Sequence, residues 1–301
     1  MECSLRIAPQ ICNSTLRGLF CQSLNGPVLT LMLQRQWKSI LALLAISPTL
    51  IVNALAASVN GDTKSCKATV YLTFDTGSQS QAMLVANTLR QHHIKASFFL
   101  ANEKTIRGDY SLDLSWAPYW KDLVDEGHTF GTHTFDHVYV IRDLPDGRIL
   151  VKPQFGAQAG KELAWTPQQY CTELHRVDER FLQLTGHTLD PLWRAPGGKL
   201  TPQLLKAGEA CGYRHVGWAP AGFSGDELSS EKFSNPDLLK RALDHLRDGD
   251  IFMAHLGIWS RQQAWMPENL EPLISGLEKK GFCFATLREH PAYRIKTEPK
   301  H

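Results

Sequence analysis

The sequence predicts an α/β protein, a distorted (β/α)7-type barrel, and three observations carry the prediction. Seven short apolar runs rich in β-formers recur between residues 69 and 287, helical stretches separate them, and glycines stand where those stretches lead back into a run. Such alternation is the signature of parallel β/α units. A doubly wound open sheet is the alternative that the same pattern allows.

The runs Thr69–Asp75, Lys95–Leu100, His128–Gly131, Leu192–Arg194, Arg214–Trp218, Asp250–His255 and Phe282–Leu287 read as buried strands. Helices are expected over Gln79–His93, Thr166–Leu184, Thr201–Cys211, Asn235–Arg247 and Pro267–Lys280. Three of them open on a polar cap followed by proline, at Thr166-Pro167, Thr201-Pro202 and Asn235-Pro236. Gly127, Gly186, Gly212, Gly249 and Gly281 suit the left-handed residue that ends a helix. The stretch Val138–Trp165 breaks the rhythm. Its Asp146-Gly147 turn signal lies between Val140-Ile141 and Ile149-Leu150-Val151, as in a hairpin insertion or lid.

Outside this region the chain reads differently. From Met32, a short basic segment with Arg35 and Lys38, an apolar run and Ala54-Leu55-Ala56 form the pattern of a cleavable export signal over residues 32–57. An uncleaved anchor is the competing reading; it would want ~20 apolar residues, and Pro48 and Asn53 interrupt the run. Residues 1–31 precede the signal's charged start and are expected to be a non-native upstream extension, and residues 291–301 a solvated tail. Past Ala57 four cysteines remain, Cys66, Cys171, Cys211 and Cys283, an even number that suits an oxidising compartment. Cys66 and Cys283 fall at the start of the first and last strands, where barrel closure would bring them within bonding range; buried free thiols are the alternative. With 32 basic and 30 acidic residues and no basic stripe, nothing points to nucleic acid. Once the signal is cleaved, no membrane association is expected.

Reactive side chains of β/α barrels gather where strands end. Those positions hold Asp75, His133 with His137, Arg194, Asp226 and His255. His133-Thr-Phe-Asp-His137 puts two imidazoles four residues apart, on one face if the segment is helical, a spacing that suits a divalent, zinc-like ion. Asp75 ends an apolar strand, either as a desolvated base or as a helix cap. Arg194 can orient a carboxylate through its guanidinium fork or join a surface pair. His255 suits general acid work or is a satisfied core histidine.

Taken together, the order Thr73-Phe74-Asp75, His133-Thr-Phe-Asp-His137, Arg194-Ala-Pro-Gly-Gly198 and Ile251-Phe-Met-Ala-His255 resembles the polysaccharide deacetylases, carbohydrate esterase family 4, also called NodB-homology proteins. The resemblance covers residues 66–290 and implies a single catalytic domain that removes N-acetyl groups from an N-acetylhexosamine polysaccharide. It implies Asp75 as catalytic base, Arg194 as the residue holding it, His255 as general acid, and His133 and His137 as ligands of a divalent metal, zinc by ligand type. A backbone N–H near Thr134 or Phe135 would then help to stabilise the oxyanion. Two departures stand out. The family's second Asp, its third metal ligand, is Thr76 here, which leaves water and substrate, or a carboxylate such as Asp136 or Asp226, to complete the shell. The Asp-rich fourth motif is replaced by Trp218-Ala-Pro-Ala-Gly-Phe-Ser-Gly-Asp226-Glu227. Trp218 lines a sugar groove or belongs to the core. Exposed Trp116, Tyr119 and Trp120 would favour a polymer groove, whereas a closed pocket under the insert would favour a small amide. A non-catalytic sugar binder is the other reading.

Overall fold

Parallel pairing organises the molecule from its first strand outwards. The structure, a computed structural model, describes residues 65–294. The expected extension 1–31, the signal 32–57 and the tail beyond residue 294 lie outside the described residues. The chain runs β1 (Ala68–Asp75), α1 (Ala82–Gln91), β2 (Ser97–Leu100), α2 (Ala117–Asp125), β3 (Thr129–Thr132), β4 (Val138–Asp143), β5 (Ile149–Pro153), β6 (Leu163–Trp165), α3 (Pro167–Thr185), β7 (Leu192–Trp193), α4 (Pro202–Ala210), β8 (Arg214–His215), α5 (Asn235–His245), β9 (Ile251–His255), α6 (Met266–Lys279) and β10 (Phe282–Phe284).

The seven expected strands are β1, β2, β3, β7, β8, β9 and β10, and they form one sheet in which β1 pairs with β2, β9 and β10. β1 is buried along its last six residues, as a strand covered on both faces must be. Beyond β8 the chain leaves regular pairing, so the strand expected over Arg214–Trp218 is only two residues long. The irregular segment that follows still meets β9, through Ala219 N–H to the Ile251 carbonyl at 3.1 Å and a bridge between Phe223 and Met253. The sheet therefore curls into the distorted barrel the alternation predicts.

Local chemistry sets the helix ends. Thr166 and Gln169 form a reciprocal capping box at the start of α3, and Gly186 ends that helix in the left-handed region. Thr201 caps α4 as expected. The cap of α5 is Ser234, one residue earlier than the Asn-Pro signal suggests; Asn235 instead buries its amide against Ala264 and Glu268. α1 is shorter than its apolar pattern because Gln79 and His93 both have positive φ, which no helix accommodates. The insert is a three-stranded antiparallel sheet, β4-β5-β6, which contains the expected hairpin and adds a third strand. Of the tail, residues 291–294 are described, and Arg214 holds them by bonds to the carbonyls of Ala292 and Tyr293.

Trp116, Tyr119 and Trp120 are not groove residues. All three are buried, with Trp120 donating to the Ser111 carbonyl at 2.8 Å and packing edge-on against Phe98 and Phe130. No helix among the described residues is long and apolar enough to cross a membrane.

β1 pairs with β10 along Ala68–Val70 and Phe282–Phe284, which brings the segment just before β1 next to the start of β10. Cys66 and Cys283 form a disulfide with Cα atoms 5.6 Å apart across a separation of 217 residues, and Cys171–Cys211 is a second. Closing so long a loop restricts the unfolded chain strongly. Replacing both Cys66 and Cys283 by Ser is expected to lower unfolding free energy by about 2–5 kcal/mol, read from urea denaturation. An unchanged midpoint and slope would mean that the strand pairing alone supplies the closure.

Candidate active site

Strand register brings the reactive groups together. Asp75, the last residue of β1, is the partner of Phe99 on β2 and of His255 on β9, so carboxylate and imidazole end their strands at one level. Arg194 follows β7, and its backbone N–H donates to the Thr132 carbonyl, which ties it to the end of β3.

Asp75 is buried, and its Oδ1 accepts from Arg194 Nη1 at 2.7 Å. Arg194 is fully buried as well. Its guanidinium also donates to the carbonyls of Val216 and Gly217 and lies 4.2 Å from the Phe99 ring centre. Burial alone would raise the Asp75 pKa, but Arg194, followed by His133 and His255, outweighs it and holds the carboxylate below its ordinary range. Asp75 is thus an ionised oxygen base at neutral pH.

His133 Nδ1 sits 2.9 Å from the Arg194 carbonyl, which can only accept, so that nitrogen carries the proton. Its Nε2 lone pair is left facing Asp75 Oδ2 at 3.7 Å. Burial pulls the His133 pKa down to about 3, which keeps the ring neutral. The His137 ring lies 4.9 Å from that of His133, and its buried Nδ1 has no hydrogen-bond partner among the described residues. The spacing works without the helix that the sequence suggests: Thr134 and His137 both adopt positive φ in the turn between β3 and β4. The Thr134 hydroxyl accepts from Val138 N–H at 2.7 Å and braces that turn. Backbone strain of this kind costs on the order of 1–3 kcal/mol per residue and gathers at functional sites.

His255 is held from behind by Asp226, whose carboxylate accepts from His255 Nδ1 at 3.0 Å and from its backbone N–H at 2.7 Å. Burial would lower the His255 pKa, yet Asp226, with help from Asp75 and Glu227, raises it to about 10. The ring is a cation with a proton to give.

These groups border a cavity of about 140 Å³ that Glu103, Trp218 and Trp259 also line, the last 60% exposed at the mouth. The sequence-predicted residues Asp75, His133, His137, Arg194, Asp226 and His255 are all in or directly behind it. Trp218 belongs to its wall. Asp136 does not: its carboxylate accepts from Arg176 at 2.9 Å, so it is not a spare ligand. Asp226 is likewise committed to His255. The backbone N–H groups of Thr134 and Phe135 already donate, to Thr132 Oγ1 and the Glu173 carbonyl, so neither is free for an oxyanion. Glu103 and Glu227 escape sequence reasoning. Glu103 had a usable signal, since it follows the strand Ser97–Leu100 by three residues, where mouth loops begin.

The donor chemistry fits a divalent ion at two positions. His133 and His137 bring two imidazoles together, with His133 Nε2 facing Asp75 and His137 Nδ1 without a hydrogen-bond partner among the described residues, and Asp75, Glu103 and Glu227 line the same cavity. The Thr76 hydroxyl is engaged on the protein side: it donates to Glu103 Oε1 at 2.7 Å and accepts from Ala101 N–H at 3.0 Å. As the side chains stand, no three His, Cys, Asp or Glu among the described residues are grouped to hold an ion.

Comparison with known proteins gives the family and the fold. A family model described as polysaccharide deacetylase matches residues 62–216. The chain is 28% identical over 232 residues to the peptidoglycan-N-acetylmuramic acid deacetylase of Bacillus subtilis, covering 75% of this chain and 72% of that protein. It is 26% identical over 233 residues to the chitooligosaccharide deacetylase of Azorhizobium caulinodans, covering 73% and 93%. Among solved structures it superposes with a TM-score of 0.56 and 20% identity on a family 4 acetyl xylan esterase from Clostridium thermocellum in complex with a cobalt ion, covering 73% of this chain and 89% of that one. A CE4 family pseudoenzyme from Bacillus anthracis gives 0.53 and 16%, covering 74% and 65%.

Proposed function

Because the chain belongs to the polysaccharide deacetylase family, we propose that it hydrolyses N-acetyl groups on an N-acetylhexosamine polysaccharide, with Asp75 as base and His255 as acid. One observation carries the reading: a carboxylate and an imidazole end neighbouring strands at one level, Asp75 held by Arg194 and His255 held by Asp226, as base and acid work requires. Asp75 takes a proton from water, whose oxygen attacks the acetyl carbon. The tetrahedral adduct collapses with cleavage of the C–N bond, and His255 delivers a proton to the departing amine, giving acetate and a free amino sugar. Arg194 keeps Asp75 ionised and aimed; Asp226 does the same for His255. His133 and His137 would hold a divalent ion, zinc by ligand type, which when bound polarises the acetyl oxygen and the water.

The two disulfides support export to an oxidising compartment, where a cell-envelope polysaccharide is the accessible polymer. Thr76 at the family's usual Asp position favours a second reading, a sugar binder without turnover. Acetate release from a panel of N-acetylglucosamine polymers, with and without chelator and added zinc, separates the two. Release supports the hydrolase; binding of the same polymers with no release supports the binder.

Proton donation by His255 has a pH signature. kcat/KM is expected to fall on the alkaline side as pH passes about 10, where His255 loses its proton. In Asp226→Asn the carboxylate that raises this pKa most is gone while burial still lowers it, so the descent should begin at a lower pH than in the wild type. An alkaline limb that stays in place in Asp226→Asn would separate this pair from proton transfer.

A further inference from the structure

We propose that Glu103 is the third metal ligand, replacing the carboxylate missing at position 76 and completing a two-histidine, one-glutamate site for zinc. The inference rests on the reading that His133 and His137 hold a divalent ion, and it begins from the Thr76 side chain. Its hydroxyl points at a carboxylate, Glu103 Oε1, at 2.7 Å. Glu103 lines the same cavity as Asp75, His133 and His137 and is only 8% exposed. None of the ion pairs among the described residues includes it. Among the described residues its side chain has one hydrogen bond, the one from Thr76, so its carboxyl group is an uncommitted acidic donor at the cavity. The other acidic candidates are committed: Asp75 to Arg194, Asp226 to His255 and Asp136 to Arg176. Two imidazoles and one carboxylate are a donor set that holds catalytic zinc while leaving a coordination position open. In the described arrangement Glu103 is turned to Thr76, so binding exchanges that hydrogen bond for the ion.

Zinc affinity measured by calorimetry or by competition with a chromogenic chelator tests this directly. Glu103→Gln keeps an oxygen for the Thr76 hydroxyl but loses the charge, and should weaken zinc binding by at least about tenfold, since even residues one step behind a ligand cost that much. Thr76→Ala should bind zinc like the wild type. Adding Thr76→Asp to Glu103→Gln should restore affinity, a rescue that a mere folding defect would not give. Wild-type zinc affinity in Glu103→Gln, absence of zinc binding by the wild-type protein, or failure of the rescue would each overturn the proposal. Acetate release measured alongside keeps the two readings apart. Zinc held through Glu103 with no release leaves this site and removes the deacetylase. Release indifferent to chelator and to Glu103→Gln does the reverse.

Discussion

Asp75→Asn is expected to lower kcat for acetate release by about 100- to 10,000-fold, the usual cost of losing a general base. The amide keeps the shape of the carboxylate and still accepts from Arg194, while it can no longer take a proton from water. The substitution also leaves a fully buried guanidinium without its counter-charge, and removing one partner of a buried pair typically costs about 3–5 kcal/mol. Arg194 retains the carbonyls of Val216 and Gly217, so the variant should fold with a reduced melting temperature. The relevant measurement is therefore kcat at a temperature where circular dichroism shows the variant folded. Turnover within tenfold of the wild type under those conditions would take Asp75 out of the chemistry.

His133→Ala combined with His137→Ala should abolish zinc retention through gel filtration and reduce turnover on the order of a thousandfold, the equivalent of several kcal/mol of lost charge stabilisation. The double truncation also removes the bond from His133 Nδ1 to the Arg194 carbonyl, so some loss of stability is expected with it. The two rings occupy a strained turn, and His137 leaves a buried nitrogen without a partner among the described residues. Elemental analysis and thermal melting, read together, separate loss of the ion from loss of the fold. Unchanged zinc content in the double variant would end the assignment of both histidines.

How much of this was legible in the sequence depends on how far each feature reaches along the chain. Asp75, Arg194 and His255 stand at the ends of apolar runs, and parallel register converts that linear position into spatial adjacency. Their partners obey no such rule. Asp226 reaches His255 from an irregular segment, and Glu103 meets Thr76 across two loops, so only the folded chain brings them together. The four-residue spacing of His133 and His137 suits one face of a helical turn, the commonest way to bring two such side chains together. Between two strands the chain instead uses positive φ at Thr134 and His137. α2 is not among the helices expected from the sequence, although the buried residues Trp116, Tyr119, Trp120 and Leu123 follow the spacing of one helical face.

The bond between Cys66 and Cys283 makes the chain between them a covalent ring. A protease that cuts once within that ring, for instance at the exposed turn between β4 and β5, opens a link without producing two molecules. Both pieces travel together until a reductant arrives. A nicked domain would migrate as one species on a non-reducing gel and as two after reduction, and it could keep its sheet paired in the meantime. For a protein proposed to work outside the cell among hydrolases, the damage that matters is then a second cut or the loss of one sulfur–sulfur bond.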